Sequence, residues 1–128
     1  MTQHNVSPIF DGSDSVNTIC RVGAPDRADE FLRGLDARDQ ARFQRYFERL
    51  RDGHRVKSPE NMRHISGVTD SKAPGATVHE LKVHSRGGLR LYVVRFEGRW
   101  YATHGVKKVK DSAVPAEARK ALRIFSGE

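Results

Sequence analysis

Residues 78–110 read VHELKVHSRGGLRLYVVRFEGRWYATHGVKKVK. Gly87-Gly88 and Glu97-Gly98 divide this stretch into three short segments rich in β-branched and aromatic residues, the pattern of strands joined by tight turns. In the first, Leu81 and Val83 alternate with Lys82 and His84. In the second, Leu91 and Val93 oppose Arg90, Tyr92 and Val94. In the third, Trp100, Ala102 and His104 are expected on one face, with Tyr101 and Thr103 on the other. Connections this short make the three strands antiparallel neighbours. Cations recur along them: Lys82, Arg86, Arg90, Arg95, Arg99, Lys107, Lys108 and Lys110.

Outward from this sheet, Pro115 opens a C-terminal helix, PAEARKALRIF, with Ala118, Ala121, Leu122 and Phe125 as its apolar face. Upstream, residues 54–77 hold two Pro and two Gly without clean periodicity. They read as an irregular connection with a short turn around Asn61 to Ile65. Before it lies DARDQARFQRYFERLRDG, a helix capped by Asp36 and stopped by Gly53. Phe43, Tyr46, Phe47 and Leu50 form its apolar stripe, and arginines occupy its other faces. A shorter helix, capped by Asp26, carries Phe31, Leu32 and Leu35. Val16 to Val22 alternates as a first strand, broken by Gly23, Ala24 and Pro25. Residues 1–14 are polar and read as a flexible arm, leaving 15–128 as one domain. The expected fold class is α+β: an N-terminal strand, a helical hairpin, a three-stranded antiparallel sheet and a C-terminal helix. The helices are expected on one sheet face, with the other left to a ligand.

The chain has 128 residues and a net charge of +7. Residues 1–77 carry 12 Lys/Arg against 11 Asp/Glu, while residues 78–128 carry 11 against 5. The cationic excess therefore sits in the C-terminal half, which points to a polyanionic partner, nucleic acid first and an acidic protein second. Cys20 is the only cysteine, so neither an internal disulfide nor a Cys-based zinc site is available; the residue reads as core. The N-terminus has no charged start followed by an apolar core, and no apolar run approaches membrane-spanning length. A cytoplasmic protein with no membrane partner is expected. His79 and His84 lack a compact ligand set, so no metal and no other cofactor are expected.

Four motifs, in order, resemble the RelE/HigB superfamily of toxins, closest to its HigB-like, phage-derived branch. They are Glu80-Leu81-Lys82, the strand Arg90-Leu91-Tyr92-Val93-Val94, His104-Gly105-Val106-Lys107-Lys108, and Pro115 followed by a helix with Ala118 and Ala121. The resemblance implies a RelE/ParE-like fold and a type II toxin–antitoxin system. Its toxin would cut mRNA on the ribosome without a metal, and its antitoxin would be of helix-turn-helix type. In the ParE-like branch the same fold poisons DNA gyrase by binding. A nucleic-acid-binding module without toxicity is the third reading.

The resemblance implies that Arg90 is the arginine near the scissile phosphate, Lys82 the basic residue on the preceding strand, and Lys107 and Lys108 the basic pair after the last strand. The chain departs from the family at its end. Many active members place a Tyr or His there, whereas this chain ends Phe125-Ser126-Gly127-Glu128. The role is then unfilled, or moved to His84 or His104.

RNA cleavage without metal needs a base for the 2′-OH, an acid for the leaving oxygen and charge to hold the phosphorane. Arginine stays charged and can bind two phosphate oxygens. Histidine, or a lysine crowded by other cations, can move protons. Lys82, His84, Arg90, His104 and Lys108 are therefore the catalytic candidates. Arg86, Lys107, Lys110 and Tyr92 are the RNA-binding ones. Each has a plain structural reading too: a satisfied sheet histidine, a core aromatic, or an Arg90–Glu80 ion pair.

Overall fold

A computed structural model describes residues 5–8, 16–20, 27–54, 56–58, 60–85 and 87–127, with the first two segments described as backbone alone. Four strands run in sequence as an antiparallel meander: β3 (Met62–Ile65), β4 (Thr77–Val83), β5 (Leu89–Phe96) and β6 (Arg99–Lys107). Beyond β6, β2 (Val16–Cys20) adds in parallel and β1 (Asn5–Pro8) pairs antiparallel with β2. The sheet order is β1-β2-β6-β5-β4-β3. The sheet is thus larger than three strands. β3 arises where the sequence predicts a turn, and β1 lies within residues 1–14, the remainder of which are outside the described residues. So are Arg21 and Val22, the breaking Gly23, Ala24 and Pro25, the proposed cap Asp26 and the side chain of Cys20.

The turns follow their residues. Glu97 (φ 52°) and Gly98 (φ 78°) join β5 to β6 as a two-residue turn with both residues at positive φ, the geometry that matches strand twist. Helix α1 spans Arg27–Arg33 and α2 spans Ala37–Arg51. The Asp36 side chain accepts from the Asp39 N–H at 2.9 Å, as a cap should, and Gly53 leaves α2 at φ 73°. A 3-10 turn over Asp111–Ala113 leads into α3 (Val114–Phe125), with Pro115 in its first turn.

Two cores share the sheet. On one face, Phe43 and Phe47 of α2 and Ala28 and Leu32 of α1 pack on Leu81, Val83, Leu89, Leu91, Val93 and Ala102. On the other, Ala118, Ala121, Leu122 and Phe125 of α3 pack on Val78, Tyr92 and Val94. The expectation of helices on a single face is therefore corrected. The apolar residues of β5 fall on both faces, so both need a cover.

A β-bulge between Tyr92 and Val93 of β5 and the facing part of β6 resets the alternation. Ala102 faces Val93 and His104 faces Tyr92, so Thr103 is the extra residue. His104 consequently joins Tyr101 on the α3 side instead of Trp100 and Ala102, which corrects the simple period-2 reading of this strand. Gly105 then lies beneath Phe31, where an added Cβ would come within 2.1 Å of the ring. The bare backbone there lets α1 approach β6.

Candidate nucleic-acid interface

Where β4 ends and β5 begins, on the α3 side, the sheet forms a polar cavity of about 250 Å³. Lys82 and Arg90 line it as direct cross-strand partners. Arg63 enters from β3, Lys108 from just past β6, and Asp111 from the 3-10 turn before α3. Glu80 forms the base and is 1% exposed. Its Oε1 accepts from Arg63 Nη2 at 3.2 Å and lies 4.0 Å from Arg90 Nε. Its Oε2 accepts from the Tyr92 hydroxyl at 2.8 Å.

A buried carboxylate is tolerated only when its charge and lone pairs are met, and here they are met by two arginines and a phenol. The pairing of Arg90 with Glu80 expected from the sequence is thus present. It fixes the guanidinium in position and leaves the cavity cationic: four cations line it against two carboxylates.

The turn makes the close approach possible. Gly88 sits at φ 106°, and a Cβ on it would lie 2.9 Å from Lys108 Cβ and 3.3 Å from Arg90 Nη1. The Lys108 N–H donates to the Gly88 carbonyl at 2.9 Å, carrying the ladder past the end of β6 and holding Lys108 beside Arg90. Arg90 Nη1 donates to the Leu89 carbonyl at 3.0 Å. At the same corner, Tyr46 of α2 donates to the Lys82 carbonyl at 2.7 Å, so the second helix fixes the strand that carries Lys82.

Lys82 is held below the ordinary lysine range, first by burial and then by the neighbouring Arg63; Arg90 adds to this, and Glu80 and Asp111 oppose it. Such a lysine has a larger neutral fraction near neutral pH and can take a proton.

The other candidates are scattered. His84 lies beyond the end of β4, exposed, its Nε2 2.6 Å from the Glu60 carbonyl. It lines a separate depression of about 300 Å³ with Arg42, Arg45 and Tyr46. Lys82 and His84 thus do not share a cavity. His104 is 2% exposed, its Nε2 3.1 Å from Glu117 Oε2 and its Nδ1 3.1 Å from the Thr103 hydroxyl. Burial pushes its pKa down, against the pull of Glu117. Tyr92 is wholly buried and stacks on His104 with ring centroids 5.0 Å apart. Burial and Glu80 both raise its phenol. Neither ring presents a face to a ligand in this conformation, because the bulge and α3 enclose them. Lys107 and Lys110 are exposed outside the cavity, and Arg86 lies outside the described residues.

Arg63 is the residue that sequence reasoning missed. It faces Glu80 in the β3–β4 register. Its signal was hidden because Met62 and Ile65, the two buried residues of β3, serve opposite faces and leave no alternation to read. Among the described residues no three His, Cys, Asp or Glu side chains gather as a metal site, and no helix is long and apolar enough to cross a membrane.

At this sheet corner four cationic side chains gather around one buried carboxylate. The family model for the phage-derived Gp49-like proteins (DUF891) matches residues 30–126, and the chain belongs to that family. It is a family of RelE-like toxins of toxin–antitoxin systems, which implies a cognate antitoxin. No curated protein and no solved structure gives a match.

Proposed function

We propose that this chain is the toxin of a type II toxin–antitoxin pair and cuts mRNA on the ribosome without a metal. The observation that carries the reading is the convergence of Lys82, Arg90, Arg63 and Lys108 over buried Glu80. In the proposed reaction neutral Lys82 takes the proton of the ribose 2′-OH. The 2′-oxygen attacks phosphorus, and the 5′-oxygen leaves on the other side, taking a proton from a cationic ammonium or from water. The products are a 2′,3′-cyclic phosphate and a 5′-hydroxyl. Arg90, with Arg63 and Lys108, balances the charge that builds on the phosphorane, where fixed charge contributes most. Glu80 holds these cations in place.

A second reading keeps the fold and the partner but drops the cut: a toxin that acts by binding, on DNA gyrase for example. It is favoured by one observation. Among the described residues no histidine lines the cavity. Inducing the protein alone and mapping mRNA 5′ ends separates the readings. Defined cuts within translated messages support the nuclease. DNA-damage signalling without cuts supports the binder. Harmless expression would sink both. The proposed antitoxin is acidic where it meets the toxin and covers Arg90 and Lys108, so association should be fast and slowed by salt.

A further inference from the structure

At the far end of the sheet, on the face of α1 and α2, lies a second and larger cavity of about 550 Å³ that the proposed reaction does not use. Its base is Leu50 and Met62. Across it runs a row of rings. His64 faces His79 in the β3–β4 register, and their rings stack with centroids 4.9 Å apart and planes 25° apart. Trp100 meets His79 edge to face at 4.9 Å. Arg95, opposite Trp100 in the β5–β6 register, lays its guanidinium 5.4 Å from the indole centroid. No carboxylate lines the cavity among the described residues.

Ring surface beside a cation, with no anion to compete, is the chemistry of single-stranded nucleic-acid sites: bases stack and the phosphate meets arginine. The size suits a nucleotide. An apolar peptide side chain would have no use for Arg95, so the ring row and the cation together favour a nucleotide. His79 is pushed down to about 4 by burial, His64 and Arg95. It is therefore neutral near pH 7 and leaves Arg95 as the fixed charge.

We propose that this cavity binds one nucleotide of a single-stranded RNA, the base extending the His64–His79–Trp100 row and the phosphate pairing with Arg95. It shares with the proposed function only RNA as ligand class. A single stacked nucleotide binds weakly, but linked to a strand held elsewhere it adds affinity through effective concentration. The site would select unpaired RNA, since a base inside a duplex cannot reach the rings.

Trp100 is the only tryptophan of the chain, so its indole N–H gives a single resonance that reports on this cavity alone. The full-length protein is titrated with adenosine 5′-monophosphate and, separately, with inorganic phosphate. The nucleotide should shift the Trp100 signal saturably and phosphate should not. Exposed His64→Ala and Arg95→Ala should each weaken the nucleotide about tenfold, the cost expected for removing one stacking ring or one phosphate-binding cation. Arg90→Ala should bind it as the native protein does. No shift, an equal shift with phosphate, or a shift indifferent to His64→Ala would overturn the proposal. So would a Trp100 response to an acidic peptide but not to the nucleotide, which would make the cavity a protein-docking site. Nucleotide binding in a protein that makes no mRNA cuts would defeat the nuclease and leave this site standing.

Discussion

The two faces of one sheet are built on different principles. Under α1 and α2 the buried core is mainly apolar: Phe43, Phe47, Leu32, Leu81, Leu91 and Val93 meet there, and α2 adds one buried carboxylate, Asp39, which accepts from the Ser85 hydroxyl. Under α3 the same strands bury Glu80, Arg90, Thr103 and His104 among apolar neighbours. The first face holds the molecule together by area removed from water. The second gives up apolar area to place polar and charged groups, and each has a partner: Glu80 has Arg63, Arg90 and the Tyr92 hydroxyl, and the His104 imidazole has Glu117. Stability and the candidate chemistry are thus separated by the thickness of a sheet, and substitutions should sort by face.

The largest expected effect is on the apolar face. Phe47→Ala opens a fully buried site beneath α2 and should cost about 3–5 kcal/mol, a large share of the stability of a small domain. Denaturant unfolding measures it. Whatever fraction stays folded should keep its activity per molecule, since Phe47 lines neither cavity. A Phe47→Ala protein of native stability would contradict the assignment of this face as the main core.

Arg90→Ala reverses the pattern. Removing one positioned charge from a phosphorane site costs about 10²–10³ in rate. Glu80 keeps Arg63 and Tyr92 as partners, so the fold should survive. Toxicity should disappear while the unfolding midpoint moves little. A folded, fully toxic variant would remove Arg90 from the reaction. Lys82 sharpens the same point through pH. Its lowered pKa makes the neutral, proton-accepting form more abundant as pH rises, so cleavage should climb with pH and level off below the ordinary lysine value. In Lys82→Gln that rise should vanish from the rate profile.

Acid should weaken both faces through histidines held neutral. His79 titrates at about 4 in the folded chain against 6.5 unfolded. Between those values the unfolded chain binds a proton that the folded one refuses. Stability is therefore full above 6.5, falls as pH drops toward 4, and gains no further loss from this group below that. His104 is displaced in the same direction by burial, with Glu117 pulling the other way and Lys120 and Arg27 adding to the downward push. Denaturation across this interval should show the fall, and His79→Asn should flatten part of it. An unchanged slope would mean that His79 is protonated in the fold.

How much of this was legible depended on whether neighbouring residues agreed. In α2 they did: Phe43 and Phe47 are buried, Asp36 caps and Gly53 stops, so the helix was readable from spacing alone. The hairpin of β5 and β6 was readable from Glu97-Gly98. β3 was not, because four residues serving two cores carry no period, and with it Arg63 was lost from the cavity. The placement of His104 was not legible either. A bulge is one unpaired residue, and nothing in Tyr101-Ala102-Thr103-His104 announces which residue will be left out. That Lys82, Arg90 and Lys108 line one cavity follows from their places at the same end of three neighbouring strands, β4, β5 and β6. Separating Lys107 from Lys108 required knowing where β6 ends.

That last pair gives the smallest and sharpest test of the two-faced sheet. Adjacent lysines at a strand end look interchangeable in sequence, and charge alone would credit both with holding phosphate. Lys107 closes β6 opposite Leu89, a residue of the apolar face, and lies outside the cavity. Lys108 lines the cavity against Arg90 and Gly88. Both are exposed, so neither substitution should disturb folding. For single-stranded RNA the slope of log affinity against log salt falls by about 0.7 for each phosphate that the protein no longer neutralises. Lys108→Ala should show that drop, and Lys107→Ala should leave the slope where it was while weakening binding slightly through net charge. Equal effects for the two would mean that RNA is held by a diffuse cationic surface and not by the cavity, and the contrast between the faces would then govern stability alone.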